Sequence, residues 1–220
     1  MQTVIVTGAS RGIGSGIVSV LLQNNFHVIA IARNENMLKE LYSNNNNVEI
    51  YPMDITKNDQ LKAFKQYLNG KDIYALINNA GGLNMTAPIE HGDEHNWEEC
   101  YDLNTIAPMK LSKLVIPHMK NGSTIINITS VVALRSFPTM AAYCGSKAAT
   151  AVFTKILRSE LSEKNIRVTD ICPGMVSKDN PQHLVYTDIG ESVKWILNLP
   201  SHVNIDSLSI SHVKNILWSF

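Results

Sequence analysis

The sequence has no excess of charge of either sign. It contains 19 Lys and Arg residues against 19 Asp and Glu residues, so its formal net charge is +0 at pH 7. Proteins that bind nucleic acid usually carry a basic surface that attracts phosphate groups. The balanced composition therefore predicts that neither a nucleic acid nor an anionic membrane is a partner of this chain.

The sequence also lacks an apolar run long enough to cross a bilayer. A transmembrane helix needs about 20 apolar residues, and the most apolar stretch, residues 13–32, contains Asn24 and Asn25 and is followed by Arg33. The first residues, MQTVIVTG, do not show the basic, apolar and small-residue order of a secretory signal. We therefore expect a cytoplasmic protein that does not enter the membrane.

Cysteine is scarce, and its spacing suits neither a disulfide framework nor a zinc site. The three cysteines, which form no CxxC pair, are Cys100, Cys144 and Cys172. His91 and His95 have the spacing of a helical metal pair, but Gly92 between them favours a loop and no third ligand is identifiable. The sequence predicts reduced cysteines and no metal site.

Apolar segments alternate with segments of helical periodicity along the chain. Strands are predicted at residues 3–6, 28–31, 48–53, 74–77, 124–128, 168–172 and about 207–210. Helices are predicted at residues 13–22, 36–42, 60–68, 97–119, 141–161 and about 191–197. This alternation predicts an α/β fold in one domain over residues 1–220: a doubly wound parallel sheet (Rossmann fold) of about seven strands with helices on both faces. Ligands bind such sheets beyond the carboxyl ends of the strands.

A glycine-rich loop, TGASRGIG, follows the first predicted strand and leads directly into a helix. Glycine allows the backbone to approach a pyrophosphate, and the amino end of a helix presents free N–H groups to an anion. The spacing is GxxxGxG rather than the usual GxGxxG. The alternative is that the glycines only shape a turn. The residues predicted here to bind a dinucleotide cofactor are Gly8, Ser10, Arg11, Gly12, Ile13 and Gly14.

The second predicted strand is followed by Arg33, where an NAD-specific enzyme would place a carboxylate for the ribose hydroxyls. A guanidinium group can instead form paired hydrogen bonds with a 2′-phosphate, and Arg11 would be a second cation. The sequence therefore favours NADP(H) over NAD(H) as the cofactor. The alternative is that Arg33 begins a solvated helix.

The third and fourth strands also end in residues that suit a cofactor. Asp54 and Ile55 follow the third strand, where a carboxylate could bind the adenine amino group, although Asp54 also resembles a helix cap. The fourth strand runs into Asn79, Ala80 and Gly81, whose small side chains permit close approach and whose amide can lock adjacent backbone. A plain turn is the alternative for this segment.

Ser130 follows the fifth strand, and Tyr143 and Lys147 lie four residues apart on one face of a predicted helix. A phenol of ordinary pKa, about 10, is a poor acid or base at neutral pH, and a neighbouring ammonium group lowers that pKa. We therefore predict that Lys147 lowers the pKa of Tyr143 and makes it a usable proton donor. Ser130 would hold the substrate oxygen.

The sequence resembles the short-chain dehydrogenase/reductase family, because four features of that family occur in it in order. They are TGxxxGxG, NNAG, a Ser at a strand end and YxxxK. Motifs cover residues 3–176, and the resemblance continues more weakly to about residue 210. It implies that Tyr143 is the catalytic acid/base, that Lys147 binds the nicotinamide ribose and that Ser130 orients the carbonyl. Asn104 would complete the tetrad by holding a water in a proton relay with Lys147. Further implied nicotinamide contacts are Pro173, Gly174 and Val176.

The resemblance implies an NADP-dependent oxidoreductase that transfers a hydride between C4 of the nicotinamide and a carbonyl or alcohol carbon of a small substrate. The alternative is a regulatory protein that senses NADPH without activity. About a dozen residues separate Val176 from the helix predicted near Glu191, which is short for a substrate lid and predicts an open pocket.

Two further segments bear on substrate and assembly. SVVALRSFPTMAAYCGSK is similar to the branch that oxidises 3-hydroxy acids such as serine or reduces small aldehydes and ketones. Within it, Arg135 either receives a substrate carboxylate or is an exposed loop cation. The apolar tail HVKNILWSF predicts a homodimer or homotetramer in which it crosses to a neighbour, the alternative being that it packs on its own domain.

Overall fold

The computed structural model describes residues 1–83 and 85–214, and within them seven parallel strands form one sheet. The strands are β1 (Thr3–Thr7), β2 (His27–Ala32), β3 (Val48–Pro52), β4 (Ile73–Asn78), β5 (Met119–Ile128), β6 (Arg167–Pro173) and β7 (Ser207–Ile210). Their order is β3-β2-β1-β4-β5-β6-β7. The strand order reverses between β1 and β4, which confirms the predicted doubly wound sheet and places a crevice at that point.

Helices cover both faces of the sheet. They are α1 (Gly12–Gln23), α2 (Glu35–Tyr42), α3 (Asn58–Tyr67), α4 (Glu94–Tyr101), α5 (Ala107–Val115), α6 (Ala141–Leu161) and α7 (Tyr186–Leu197). Because side chains alternate along a strand, Val4 and Val6 pack with α1, α2 and α7, whereas Ile5 packs on the opposite face with α3, α5 and α6. The helical cover leaves the carboxyl ends of the strands as the accessible edge.

The single helix predicted over residues 97–119 is wrong. The structure divides the segment into α4, a π-helical turn at Asp102–Ile106, α5 and a 3₁₀ turn at Ile116–His118. Pro108 is tolerated in the first turn of α5, but Pro117 has no N–H to continue a helix. β5 then begins at Met119, which pairs with Ile73 before a register shift.

Helix α7 begins at Tyr186, five residues before the predicted start. Its first turn is stabilised by the carboxylate of Asp188, whose Oδ2 accepts a 2.8 Å hydrogen bond from the Val185 N–H. Gly16 of α1 permits close packing here, because a Cβ atom on it would lie 2.5 Å from the carbonyl carbon of Tyr186. Tyr186 is thereby held beside the loop that precedes α1.

In the described part of the chain, no helix is long and apolar enough to span a membrane. The same residues contain no cluster of three or more His, Cys, Asp or Glu able to hold a metal ion. His91 ends a 3₁₀ turn, and its Nε2 lies 3.6 Å from Glu90 Oε1. His95 belongs to α4, and its Nε2 lies 3.4 Å from Glu99 Oε1. Residues 215–220, most of the tail predicted to cross between subunits, lie outside the described residues.

Candidate active site

A cleft of about 630 Å³ opens at the carboxyl ends of β1, β2, β3 and β4. It lies where the strand order reverses, which is the position expected for a dinucleotide in this fold. The structure therefore brings together most of the residues predicted to bind a cofactor. Those that line the cleft are Gly8, Ser10, Arg11, Gly12, Ile13, Arg33, Asp54, Ile55, Asn79, Ala80 and Gly81.

Seven further residues, which were not predicted from the sequence, also line the cleft. They are Ile31, Ala32, Asn34, Met37, Met53, Leu103 and Tyr186. Asn34 could have been found, because it follows a strand end and its side chain caps α2 by accepting a 3.0 Å hydrogen bond from Met37 N. Tyr186 carried no such signal, since its helix was predicted to begin later.

The glycine loop has the backbone conformation that glycine favours. Gly8 and Gly12 have φ angles of +67° and +60°. A Cβ atom on Gly8 would lie 2.9 Å from the Asn79 side-chain nitrogen and 3.0 Å from the Ala80 Cα. The first turn of α1 has no acidic residue, and Arg11 at its N-cap makes no side-chain capping bond. The amino end of α1 therefore retains free N–H groups that suit an anion.

Gly14 does not line the cleft, although it was predicted to bind the cofactor. A Cβ atom at this position would lie 2.1 Å from the Gly8 carbonyl oxygen and 2.7 Å from the side-chain nitrogen of Asn79. Its role in the structure is to let α1 pack against the loop. Gly14 therefore contributes to the shape of the cleft through its contact with Gly8 and Asn79, without lining the cleft itself.

Thr7 joins β1 to the segment after β4. Its Oγ1 accepts hydrogen bonds from the N–H groups of Asn79 and Ala80, at 3.0 and 2.9 Å, and donates to the Ile77 carbonyl at 3.3 Å. The Asn79 side chain donates in return to the Thr7 carbonyl at 2.8 Å. The predicted locking of adjacent backbone by this amide is confirmed, and it fixes the floor of the cleft.

Two arginines lie at the cleft. Among the described residues, neither Arg33 nor Arg11 makes an ion pair or a side-chain hydrogen bond. Arg33 is exposed between β2 and α2, so it does not begin a helix. Asp54 does not cap a helix either, because its Oδ1 accepts hydrogen bonds from the N–H and Oγ1 of Thr56 in a local turn. The cleft thus has two unpaired cations near the end of β2.

Ser130, Tyr143 and Lys147 gather at the carboxyl end of β5. Ser130 begins the 3₁₀ turn Val131–Ala133, and its Oγ accepts a 3.3 Å hydrogen bond from the Val132 N–H. Lys147 Nζ lies 5.9 Å from the centroid of the Tyr143 ring. The same ammonium group donates a 3.0 Å hydrogen bond to the Ile128 carbonyl, which anchors it to β5.

The predicted lowering of the Tyr143 pKa is wrong for this structure. Burial raises the pKa of the phenol above its ordinary value, and the interaction with the Ser130 hydroxyl only partly opposes this. Burial also lowers the pKa of Lys147 to about 8, against the opposing effect of the Asp170 carboxylate. A buried lysine with a lowered pKa is a weaker source of positive charge near neutral pH than a solvated lysine.

Asn104 is buried in the π-helical turn between α4 and α5. Its Oδ1 accepts a 2.9 Å hydrogen bond from Gly82 N, and its Nδ2 donates to Gly82 O and Ser146 Oγ, both at 3.0 Å. A Cβ on Gly81 would lie 2.7 Å from Asn104 Oδ1 and 3.0 Å from Lys147 Nζ. The amide, the ammonium group and the loop after β4 therefore converge, as a π-turn at a functional site often allows.

Three further predicted cofactor residues lie at or just after the end of β6 and are not among the lining residues of the cleft. Pro173 is the last residue of β6, and the Gly174 N–H donates a 2.7 Å hydrogen bond to Ile210 O. Val176 forms an isolated bridge with Leu184. Only residues 177–185 connect this bridge to α7, so the predicted short connection is even shorter than expected from the sequence.

Comparison with known proteins gives a consistent picture. A family model described as short chain dehydrogenase matches residues 2–187. An uncharacterized oxidoreductase of Staphylococcus saprophyticus is 32% identical over 231 residues, covering 96% of this chain and 97% of that protein.

Solved structures agree with this result. The crystal structure of serine dehydrogenase from Escherichia coli has a TM-score of 0.88 at 28% identity, with 100% of both chains covered. The closed form of serine dehydrogenase complexed with NADP⁺ has a TM-score of 0.91 at 28% identity, covering 100% of this chain and 97% of that one.

Proposed function

Because the chain belongs to the short chain dehydrogenase family and is therefore an oxidoreductase, we propose that it uses NADP(H) and exchanges a hydride with a carbonyl or alcohol carbon of a small substrate. Tyr143 is the proposed acid/base. The observation that carries this proposal is the juxtaposition of the cleft with Ser130, Tyr143 and Lys147 along one edge of the sheet.

The cleft fits a dinucleotide. Its volume of about 630 Å³ lies within the usual range for ligand sites, and the absence of a side chain on Gly8 allows the glycine loop to lie against Asn79 and Ala80 in the cleft lining. In our proposal the glycine loop and the amino end of α1 hold the pyrophosphate, and Asp54 and Ile55 contact the adenine. A bound nicotinamide supplies the hydride chemistry.

The preference for NADP(H) rests on the charges around the end of β2. Arg33 and Arg11 line the cleft and have no ion-pair partner within the described part of the chain, and no carboxylate lies among the described lining residues that directly follow β2. A guanidinium group stabilises a 2′-phosphate through charge-assisted hydrogen bonds. The NADP⁺ complex of serine dehydrogenase, a structure 28% identical to this chain, supports the same preference.

Tyr143 is the proposed proton donor, although burial raises the pKa of its phenol and makes it a weaker acid than an ordinary tyrosine. A phenol held above its ordinary pKa by burial remains protonated at neutral pH, so it can donate to the oxygen of a carbonyl as the carbon is reduced. Ser130 stabilises the developing charge on that oxygen. Lys147, buried and bonded to Ile128 O, holds positive charge close to the phenol. Asn104 and the Pro173 to Val176 segment complete the proposed site.

The decisive experiment compares Tyr143→Phe with Tyr51→Phe, which removes a phenol hydroxyl on β3 from a ring that packs against Phe64 and Tyr67. NADPH oxidation is followed by absorbance with a panel of aldehydes and ketones, and NADPH binding by fluorescence. Tyr143→Phe should lose turnover and keep NADPH binding, whereas Tyr51→Phe should keep both. Undiminished turnover of Tyr143→Phe overturns the assignment, and NADPH binding by the unmodified protein without turnover favours a sensor instead.

We also propose that residues 1–220 form one domain and that the chain assembles as a homodimer or homotetramer. Apolar side chains exposed on α5 and α6, namely Met109, Val152 and Ile156, support an interface on these helices. Size-exclusion chromatography with light scattering at micromolar concentration tests the assembly, and a monomer there contradicts it.

A further inference from the structure

Tyr186 is the one lining residue of the cleft that comes from the second half of the described chain. The other lining residues lie between residues 8 and 103, and none of them is aromatic. Tyr186 is the first residue of α7, and it is only partly buried. A helix that follows β6 thus places a single phenol in the cleft that β1 to β4 form.

The side chain of Tyr186 starts beside α1. A Cβ atom on Gly16 would lie 2.6 Å from the Cβ of Tyr186. Gly12, the first residue of α1, lies about 6 Å away from Gly16 along the helix axis, because an α-helix rises about 1.5 Å per residue. A tyrosine side chain is long enough to span this distance, and Tyr186 lines the same cleft as Gly12 and Ile13. The phenol is therefore within reach of the amino end of α1, where the proposed pyrophosphate site lies.

Contacts between α1 and α7 fix the position of Tyr186. A Cβ atom on Gly190 would lie 2.9 Å from the carbonyl oxygen of Gly16, so the two glycines allow the helices to approach closely. Ile189 and Val193 of α7 are fully buried. The helix that carries the phenol is therefore docked before a ligand binds, and a group that is already in place loses less entropy on binding.

The hydroxyl of Tyr186 is available to a ligand. Tyr42 and Tyr74 donate their hydroxyl hydrogens to the carbonyls of Ala9 and Leu197, at 2.7 and 2.6 Å. The Tyr186 hydroxyl donates no hydrogen bond to any of the described residues. A hydroxyl that donates to an ionised phosphate oxygen forms a charge-assisted hydrogen bond, which is about twice as strong as a neutral one.

The connection between β6 and α7 does not itself reach the cleft. None of residues 174–185 is among the lining residues that the structure describes. Backbone hydrogen bonds hold this connection, from Ser177 N to Leu184 O at 2.9 Å and from Leu184 N to Met175 O at 3.0 Å. Tyr186 is thus the part of this region that contacts a ligand in the cleft.

We propose that Tyr186 is a further cofactor-binding residue, whose hydroxyl donates a hydrogen bond to the pyrophosphate of the dinucleotide and holds it between α7 and the glycine loop. This inference rests on the proposed function, because it adds a contact to the same cofactor. Tyr186 takes no part in the transfer of the hydride or the proton. Its removal should therefore act on the affinity for the cofactor.

The test measures the Kd of three ligands for Tyr186→Phe and for the unmodified protein by calorimetry. The first, 2′-AMP, has the adenine, the ribose and the 2′-phosphate but no pyrophosphate. The second, 2′-phospho-ADP-ribose, includes the pyrophosphate, and the third, NADPH, also includes the nicotinamide. A lost hydrogen bond to a charged group raises Kd by about tenfold to a hundredfold. Tyr186→Phe should weaken the second and third ligands by the same factor and leave the Kd of 2′-AMP unchanged.

Tyr74→Phe is the matched control. It removes a hydroxyl that donates to Leu197 O at the opposite end of α7, and Tyr74 does not line the cleft. This variant should leave all three Kd values unchanged. If Tyr186→Phe weakens all three ligands equally, or if Tyr74→Phe causes the same losses, the effect comes from the packing of α7 and the proposed contact is wrong.

The remaining outcomes separate this contact from the proposed function. A loss confined to NADPH would place the hydroxyl at the nicotinamide, and three unchanged Kd values would show no contact, so either result overturns the assignment of Tyr186 to the pyrophosphate. Turnover by the unmodified protein together with unchanged Kd values in Tyr186→Phe leaves the proposed function in place. The expected Kd pattern without turnover by the unmodified protein overturns the proposed function and supports the contact.

Discussion

The Nζ atom of Lys147 donates a 3.0 Å hydrogen bond to the carbonyl oxygen of Ile128, so a side chain of α6 is anchored on the backbone of β5. Only 5% of Lys147 is exposed. A buried ammonium group loses hydration, and this loss accounts for the lowering of its pKa to about 8. The same arrangement that places positive charge beside Tyr143 therefore costs stability at neutral pH.

This cost predicts a distinct pH dependence of stability for Lys147→Met. Between the folded pKa of about 8 and the ordinary value of 10.5, the unfolded state binds more protons at this site, so the unmodified protein gains stability as pH rises. The gain relative to Lys147→Met should be at most about 3 kcal/mol. Urea unfolding gives the free energy of unfolding of both proteins at pH 7 and at pH 9.5. If the unmodified protein and Lys147→Met differ by the same free energy at both pH values, the pKa of Lys147 is not lowered.

Asp170→Asn should lower the pKa of Lys147 further. Asp170 lies buried on β6, where its Oδ1 accepts a 2.5 Å hydrogen bond from Thr129 Oγ1, and its charge raises the pKa of Lys147. Without that charge, the ammonium form should be lost at a lower pH, and the alkaline fall in kcat/KM for carbonyl reduction should move with it. The pH profile and the NMR titration of labelled Lys147 provide two readings. Asp206→Asn, an exposed carboxylate, is the control and should move neither.

Arg33→Ala should weaken NADP(H) far more than NAD(H). The loss of a hydrogen bond to a charged group raises Kd by about tenfold to a hundredfold. Fluorescence titration with NADPH and NADH measures both affinities. Lys113→Ala on α5, also exposed, removes the same charge away from the cleft and should change neither affinity. Equal losses for the two cofactors in Arg33→Ala would show that Arg33 does not bind the phosphate.

Thr7→Val should reduce both stability and cofactor affinity. The substitution keeps the shape of a fully buried side chain but leaves the N–H groups of Asn79 and Ala80 without their acceptor. Leaving a buried donor unpaired costs about 1–3 kcal/mol. Urea unfolding gives the stability, and NADPH titration gives the affinity. A variant as stable as the unmodified protein would show that water or a backbone shift replaces the lost bonds.

The order of the elements and the cleft followed from the sequence because both depend on strong local patterns. Apolar runs predicted the strands, and glycines and amides at their ends predicted most of the cleft lining. The start of β5 was missed, since Lys120 and Asn121 carry no apolar alternation and join the sheet only through pairing near Ile73. Tertiary contacts, rather than the local sequence pattern, therefore determine where β5 begins.

The sequence predicted which side chains the candidate site would contain, but it did not predict their electrostatics. The helical spacing placed Tyr143 and Lys147 on one face, but it did not reveal that both are buried, and burial determines the direction of each pKa shift. The same limit applies to Tyr186. Its place in the cleft depends on the close approach of α1 and α7 at Gly16, which no local pattern encodes.

The bonds between Thr7 and the segment after β4 also bear on how the protein acquires its ligand during synthesis. Residues 8–72 separate β1 from β4, so the floor of the cleft is incomplete until residue 80 has emerged and these strands have paired. A nucleotide that requires this floor cannot nucleate folding of the amino-terminal half. It can only stabilise the assembled sheet, in proportion to its concentration over its Kd.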